Sequence, residues 1–422
     1  MPEADMRAVA ISIWVFFNLG FLGMCGYIYL VFSQYWYNER NHDFARQMVH
    51  RKPKFDREHQ VVFYQPEGNE NGSLEKRALD RPKRSHPRNK IPEKVPCKGN
   101  CSGQKSEKTL ANFKDDVFLK MRRVLHDESN VFKTDNPYFV NYKGRRTSFT
   151  SLGPKELKCR LKKVRVRTLK RQDPPFNRVE FGNIIGERGF LDNTMFNSCA
   201  IVSNAGSLLN SRLGAHIDSH DAVLRFNHAP TVDYEEDVGK KTTIRIVNSQ
   251  VVTKEKFKFT TSPLYKNVTL VVWDPSNYTA SLQQWYEKPD FDFFGSWARQ
   301  RLSNPGQQSF ILDPRSVWKV WDFIQSLTPL RIRRNPPSSG FLGIALMLPH
   351  CDTLDVYEYV PSVRLTDRCH YFDDFEDSSC TFGVWHPLAA EKMLSLGMNE
   401  ANDTTVFLTG FIRIRGYRNL KC

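Results

Sequence analysis

Near the amino end, Ala8 to Phe32 form an uncharged run of 25 residues rich in Ile, Leu, Val, Phe and Gly. Coiled at 1.5 Å per residue, such a run reaches about 37 Å, enough to cross a hydrocarbon core of about 30 Å with some tilt. A cleaved signal peptide carries a shorter apolar core, about 7–15 residues, and a small-residue cleavage site. The run therefore predicts a transmembrane signal-anchor over 8–32 behind a tail of residues 1–7. Residues 33–150, typified by RPKRSHPRNKIPEKVP at Arg81 to Pro96, show little apolar periodicity and predict a largely flexible stem. Within it, Arg81-Pro-Lys-Arg84 reads first as part of a solvated linker, with a basic-directed protease site or a nuclear address as alternatives.

Beyond residue 150 the pattern changes to short apolar runs broken by turn residues: Cys199–Ser203, Ala222–Phe226, Thr243–Val247, Leu270–Trp273, Phe310–Leu312, Leu354–Tyr357 and Val406–Leu408. Each predicts a strand. Between them Ser207–Ile217, Val317–Leu327 and Gly340–Leu348 carry a helical period. The alternation predicts an α/β domain over 151–422 with a mainly parallel, Rossmann-like central sheet flanked by helices.

Charge sharpens the division. The 422 residues are 40% hydrophobic and carry a net +15. Residues 1–175 hold 35 of the 61 Lys and Arg but only 19 of the 46 Asp and Glu, a balance of +16, which leaves −1 for 176–422. A nucleic-acid reader would place its basicity on a folded module, and no zinc-finger spacing or RNA-recognition signature is present, so nucleic acid is not expected as a partner. Arg7 stands alone before the apolar run whereas Arg40, Arg46, Arg51, Lys52 and Lys54 follow it, which by the positive-inside rule disfavours a lumenal body. Two features outweigh this. Sequons at Asn71, Asn100, Asn267, Asn277 and Asn402 suit glycosylation in the secretory lumen. Six of the nine cysteines, Cys159, Cys199, Cys351, Cys369, Cys380 and Cys422, fall in the body, the even set an oxidised domain needs, with connectivity open among 15 pairings. The body has no C-x₂-C pair for zinc, and the roles of Cys97 and Cys101 stay open.

In parallel sheets ligands gather at the carboxyl ends of strands. There the chain places Ser203-Asn204-Ala-Gly-Ser207, a small polar turn suited to close approach of a nucleotide, then Asn227 and Asn248. Asn335-Pro-Pro-Ser338-Ser339-Gly340 precedes an apolar helix whose first amides, with the two hydroxyls, can face an anion. Trp385-His386-Pro387 offers an imidazole beside a rigid proline. Asp290-Phe-Asp292 has the spacing by which many glycosyltransferases hold manganese, but it follows a proline among aromatics and is not read as a metal site.

Together these segments resemble the animal sialyltransferases. CAIVSNAGSL, HDAVLRFNHAPT and DVGKKTTIRIVNS across Cys199–Ser249 resemble the large sialyl motif, and Asn335 to Cys351 the small one. Cys369-His370-Tyr-Phe-Asp373 resembles the third motif and His386-Pro-Leu-Ala-Ala-Glu391 the very small motif. NPPSSG, Val272-Trp-Asp-Pro275, Trp285-Tyr286, Pro289-Asp290 with Phe293-Phe294, and the final Cys422 are similar to the β-galactoside α-2,6-sialyltransferases. Departures from that pattern are His228 in place of glycine, His370 and Trp385 in place of tyrosines, and Asp373 in place of glutamine.

The resemblance implies a single-pass type II Golgi enzyme with a lumenal, GT-A-like domain. It would transfer sialic acid from CMP-sialic acid to O6 of a terminal galactose or N-acetylgalactosamine on glycoprotein glycans, by inversion and without metal or other cofactor. Asn204, Asn227, Asn248, Ser338, Ser339, Gly340 and His370 would bind the donor, His386 would be the base, and Asp290, Asp373 and Trp385 would line the acceptor side. Disulfides would join Cys159 to Cys422, Cys199 to Cys351 and Cys369 to Cys380. Inversion needs one base to take the acceptor proton as the hydroxyl attacks opposite the departing CMP, a role an imidazole fills near neutral pH. A departing phosphate monoester demands a divalent clamp less than a diphosphate does, so fixed amides and hydroxyls can stabilise it. Rival expectations are an α-2,3 or α-2,8 linkage, or a membrane-tethered carbohydrate-binding protein without turnover.

Overall fold

The computed structural model describes residues 104–131, 135–383 and 385–422. The expected anchor, most of the expected stem, Cys97, Cys101, Asn71 and Asn100 lie outside them; among the described residues no helix is long and apolar enough to cross a membrane.

Seven strands form one sheet in the order β5-β4-β3-β2-β1-β6-β7: β1 Phe196–Val202, β2 Ala222–Phe226, β3 Ile244–Asn248, β4 Thr269–Trp273, β5 Ser309–Ile311, β6 Cys351–Tyr357 and β7 Phe411–Arg415. The first six run parallel and β7 pairs antiparallel with β6. Because side chains alternate along a strand, each strand feeds two cores. Cys199, Ile201, Leu224, Ile246, Val271, Leu354 and Val356 face the larger one. Ala200, Val202, Val223 and Tyr357 face a second, while Val247, Leu270 and Val272 face a third under the helices Leu282–Glu287 and Phe294–Ser303. Burial on both faces explains why these strands read as largely apolar runs, with Arg225, Arg245 and Asp355 buried among them.

Five helices close the larger core: α1 Gln104–Val131, α2 Pro154–Lys162, α3 Pro314–Ser326, α4 Ser339–Met347 and α5 Leu388–Met398. In α4 every residue from Phe341 to Met347 is buried, and the helix packs on β1, β2, β3 and β6. It runs back from the carboxyl edge of the sheet, so its amino terminus stands at that edge.

Three features differ from the sequence pattern. Val406–Leu408 is not a strand but part of a π-helical turn, Thr404–Thr409, that drives Val406 and Phe407 into the core and ends at Gly410 with φ 92°. The final strand is the alternating FIRIR that follows. The periodic stretch Ser207–Ile217 breaks into a 3₁₀ turn, Gly206–Leu208, and a short helix, Gly214–Asp218, with Asn210 and Arg212 at positive φ between them.

Third, α1 lies inside the stretch expected as stem. Its Val117, Met121, Leu125 and Glu128, spaced by four, four and three, form one buried face, and Glu128 pairs with buried Arg333 at 3.1 Å. Met121→Ala is expected to cost about 2–5 kcal/mol, the range for emptying a packed core site. Urea unfolding of the purified protein measures it; an unchanged midpoint would return α1 to the stem.

Three disulfides complete the body, Cys159–Cys422, Cys199–Cys351 and Cys369–Cys380, the pairs implied by the family resemblance. The first ties the carboxyl-terminal residue to α2. Asn267, Asn277 and Asn402 are exposed.

Candidate active site

The strand order reverses between β1 and β6, and ligands in open α/β sheets collect outside the carboxyl ends at such a switch point. Asn204 follows β1, Asn227 follows β2 and Asn248 ends β3, so the three expected asparagines share one edge. They differ in their bonding. Asn227 adopts φ 50°, and its Oδ1 accepts the Asn248 amide at 3.0 Å. Buried Arg245 holds the carbonyls of Asn227 and Ala229 at 2.9 and 3.1 Å. Asn248 caps the next short helix by accepting the Val251 amide at 3.0 Å. The Asn204 carbonyl accepts the Tyr371 amide at 3.1 Å, while its buried Oδ1 has no hydrogen-bond partner among the described residues.

That Tyr371 bond docks the third-motif loop against β1. Gly206 permits the approach, since a Cβ there would lie 2.3 Å from the Arg368 carbonyl. In this loop His370 Nδ1 bonds the Asp373 carboxylate at 2.7 Å, joining a residue expected on the donor side to one expected on the acceptor side. Burial pushes the Asp373 carboxyl up, but the His370 bond and charge outweigh it and hold the pKa below 3.8. His370 stacks on Phe372, which meets His228 edge-on, and His228 lies 4.5 Å from Phe257 between centroids. Burial lowers the His228 pKa to about 4, so this ring is neutral at physiological pH.

Across the edge stands the amino terminus of α4. Ser338 is its N-cap, accepting the Phe341 amide at 3.2 Å, and its hydroxyl donates to Glu391 at 2.5 Å. Ser339 accepts the Trp273 indole N–H at 2.9 Å, and Trp273 pairs in register with Asn248, linking the two groups of expected donor residues. A Cβ at Gly340 would lie 2.7 Å from the Tyr359 ring, so glycine is required for that packing. The Ser339 and Gly340 amides precede the first intrahelical bond and form the positive end of the helix.

His386 sits beside this terminus. Its Nδ1 lies 2.7 Å from the Pro336 carbonyl, which can only accept, so Nδ1 carries the proton and Nε2 keeps its lone pair. Withdrawal from water lowers the pKa below 6.5, against the opposing Glu391 charge and Pro336 bond. Asn335 Nδ2 donates to the Trp385 carbonyl at 2.9 Å, holding the two loops together.

Asp290 and Trp385, both solvent-facing, complete the expected set. Asp274, fully buried after β4, accepts the Trp285 indole N–H at 2.8 Å and the Asp290 amide at 2.9 Å, and burial raises its pKa to about 6. Tyr138 donates to Asp290 at 3.3 Å and meets Trp385 edge-on. Sequence reading assigned no role to Tyr138, Asp274 or Asn335. Asp274 had a signal, its place immediately after an apolar strand; Tyr138 had none. Among the described residues no group of three or more His, Cys, Asp or Glu could hold a metal ion.

The profile of glycosyltransferase family 29 (sialyltransferase) matches residues 181–402. The chain is 46% identical over 290 residues to the beta-galactoside alpha-2,6-sialyltransferase 2 of Xenopus tropicalis, covering 68% of this chain and 56% of that protein. It is 43% identical over 311 residues to the beta-galactoside alpha-2,6-sialyltransferase 1 of Mus musculus, covering 73% of this chain and 77% of that one. The chain thus spans little more than half the length of the Xenopus protein. A solved mammalian sialyltransferase is similar at 20% identity and TM-score 0.36, over 61% of this chain and 89% of that one. With a profile match over more than half of its residues, the chain belongs to glycosyltransferase family 29, the sialyltransferases.

Proposed function

We propose that the protein transfers sialic acid from CMP-sialic acid to O6 of a terminal galactose, or N-acetylgalactosamine, on glycoprotein glycans, with inversion. The observation that carries the reading is His386, whose Nδ1–H is committed to the Pro336 carbonyl beside the amino terminus of α4. Nε2 is thereby left to take the proton of the acceptor hydroxyl as it attacks the anomeric carbon. The Ser339 and Gly340 amides face the charge that grows on the departing CMP phosphate, in the place a divalent cation takes elsewhere. Asn204, Asn227 and Asn248 hold the nucleoside, and the Asn204 Oδ1, without a partner among the described residues, supports a ligand donor at that point. The α-2,6 linkage follows the names of the relatives. The sheet with helices on both faces is read as a GT-A-like body that begins near residue 104, carried in the Golgi lumen by the 8–32 anchor and glycosylated at exposed sequons.

The test is detergent-solubilised full-length protein with CMP-sialic acid and EDTA, offered galactose- and N-acetylgalactosamine-terminated acceptors, followed by linkage analysis. The expected result is acceptor-dependent CMP release and an α-2,6 product. An α-2,3 or α-2,8 product overturns the linkage, a manganese requirement overturns the cation-free reading, and donor binding without transfer returns the chain to a carbohydrate-binding role. A second expectation concerns pH. An imidazole base must be neutral, so kcat/KM should be flat above the His386 pKa and fall as pH drops through it, with the midpoint below 6.5. A midpoint above 7 would contradict the lowered pKa.

A further inference from the structure

Asp290 and Trp385 lie on separate loops, and one residue touches both. Tyr138 donates its hydroxyl to Asp290 Oδ2 at 3.3 Å, and its ring meets Trp385 edge-on at 6.4 Å and leans on Trp318 at 5.5 Å. Tyr138 itself is only 7% exposed, whereas Trp385 is 40% exposed. Its buried ring therefore backs two solvent-facing groups.

The backbone around it is tightly held. Asn136 Oδ1 accepts the Val140 amide at 2.7 Å, Asn136 Nδ2 donates to the Val140 carbonyl at 3.2 Å, and the Phe139 amide returns to the Asn136 carbonyl at 3.2 Å. The Tyr278 amide donates to the Tyr138 carbonyl at 3.0 Å. This clasp holds Phe139 at φ 56° with its side chain 69% exposed. A left-handed backbone is costly for a bulky residue, and a solvent-facing ring recovers no burial in exchange. What the turn secures is the placement of its neighbour, Tyr138.

We propose that Tyr138 is a positioning residue for the acceptor: its hydroxyl fixes the direction of the Asp290 carboxylate and its ring fixes the tilt of Trp385. Acceptor selection then depends on a segment that precedes the family's matched region, residues 181–402. The inference rests on the sialyltransferase reading. Tyr138→Phe keeps the ring and removes one long hydrogen bond, so acceptor KM is expected to rise about five- to tenfold, within the usual net worth of such a bond. Both kcat and the KM for CMP-sialic acid should stay within about twofold. Tyr138→Ala should do more, with the Phe variant standing between it and the parent. In an Asp290→Asn background, Tyr138→Phe should add less than about twofold, because the two act as one unit. An unchanged acceptor KM, a fall in kcat together with weaker donor binding, or additive effects in the double variant would overturn the proposal. Failure of the parent enzyme to transfer sialic acid to any acceptor would instead overturn the reading on which it rests.

Discussion

His386→Ala is expected to lower kcat by about two to four orders of magnitude, the usual contribution of a positioned general base. The KM for CMP-sialic acid should move little, because in the proposed reading the donor is held by the amino end of α4 and the strand-end asparagines. With Nδ1–H given to the Pro336 carbonyl, the ring presents a single basic nitrogen. Among the described residues, His228 packs between Phe257 and Phe372, and His370 is bonded to Asp373, so neither takes over that position. Steady-state kinetics with saturating donor and a galactose-terminated acceptor measure the loss. Normal turnover in the variant would remove the base assignment.

Glu391→Ala is expected to have the largest effect on stability, about 3–5 kcal/mol, with activity lost alongside. Glu391 is fully buried on α5 and accepts the Ser338 amide at 2.8 Å, the Ser338 hydroxyl at 2.5 Å and the Tyr359 hydroxyl at 2.7 Å. Removing the carboxylate strands three buried donors, each costing about 1–3 kcal/mol when unsatisfied. Lys392, also buried and bonded to the Tyr359 carbonyl, loses part of its compensating charge. The N-cap of α4 would relax with it, moving the Ser339 and Gly340 amides. Glu391→Gln retains the shape and two acceptor lone pairs, and should recover part of the stability. Urea unfolding separates the two variants, and equal midpoints for parent and Glu391→Ala would contradict this account.

The sequence revealed the sheet where burial is two-sided. From Cys199 to Tyr357 the apolar runs coincide with the six parallel strands, because a strand covered on both faces is apolar at most positions, and buried Arg225, Arg245 and Asp355 are held by hydrogen bonds or an ion pair. It misled at β7. Phe411-Ile-Arg-Ile-Arg415 alternates, as an edge strand with one wetted face does, while the more continuous Val406–Leu408 run serves a helical turn. The asparagines and the Ser338–Gly340 turn were legible because strand ends and helix starts are places where chemistry collects in this class of fold. Tyr138 was not, since no periodicity marks it; tertiary contact alone brings it to Asp290, about 150 positions later. For α1, sparse apolar residues at helical spacing were hidden in a strongly charged stretch, QKSEKTLANFKDDVFLKMRRVLHDESNV.

The packing of α1 sets a boundary for proteolytic trimming. A protease cutting after Arg84 would release a fragment that retains the whole helix and, with it, the Glu128–Arg333 ion pair. A cut past Met121 would instead strip a wall from the interior and expose the charge of Arg333. Any active fragment released by a protease should therefore begin before Val117.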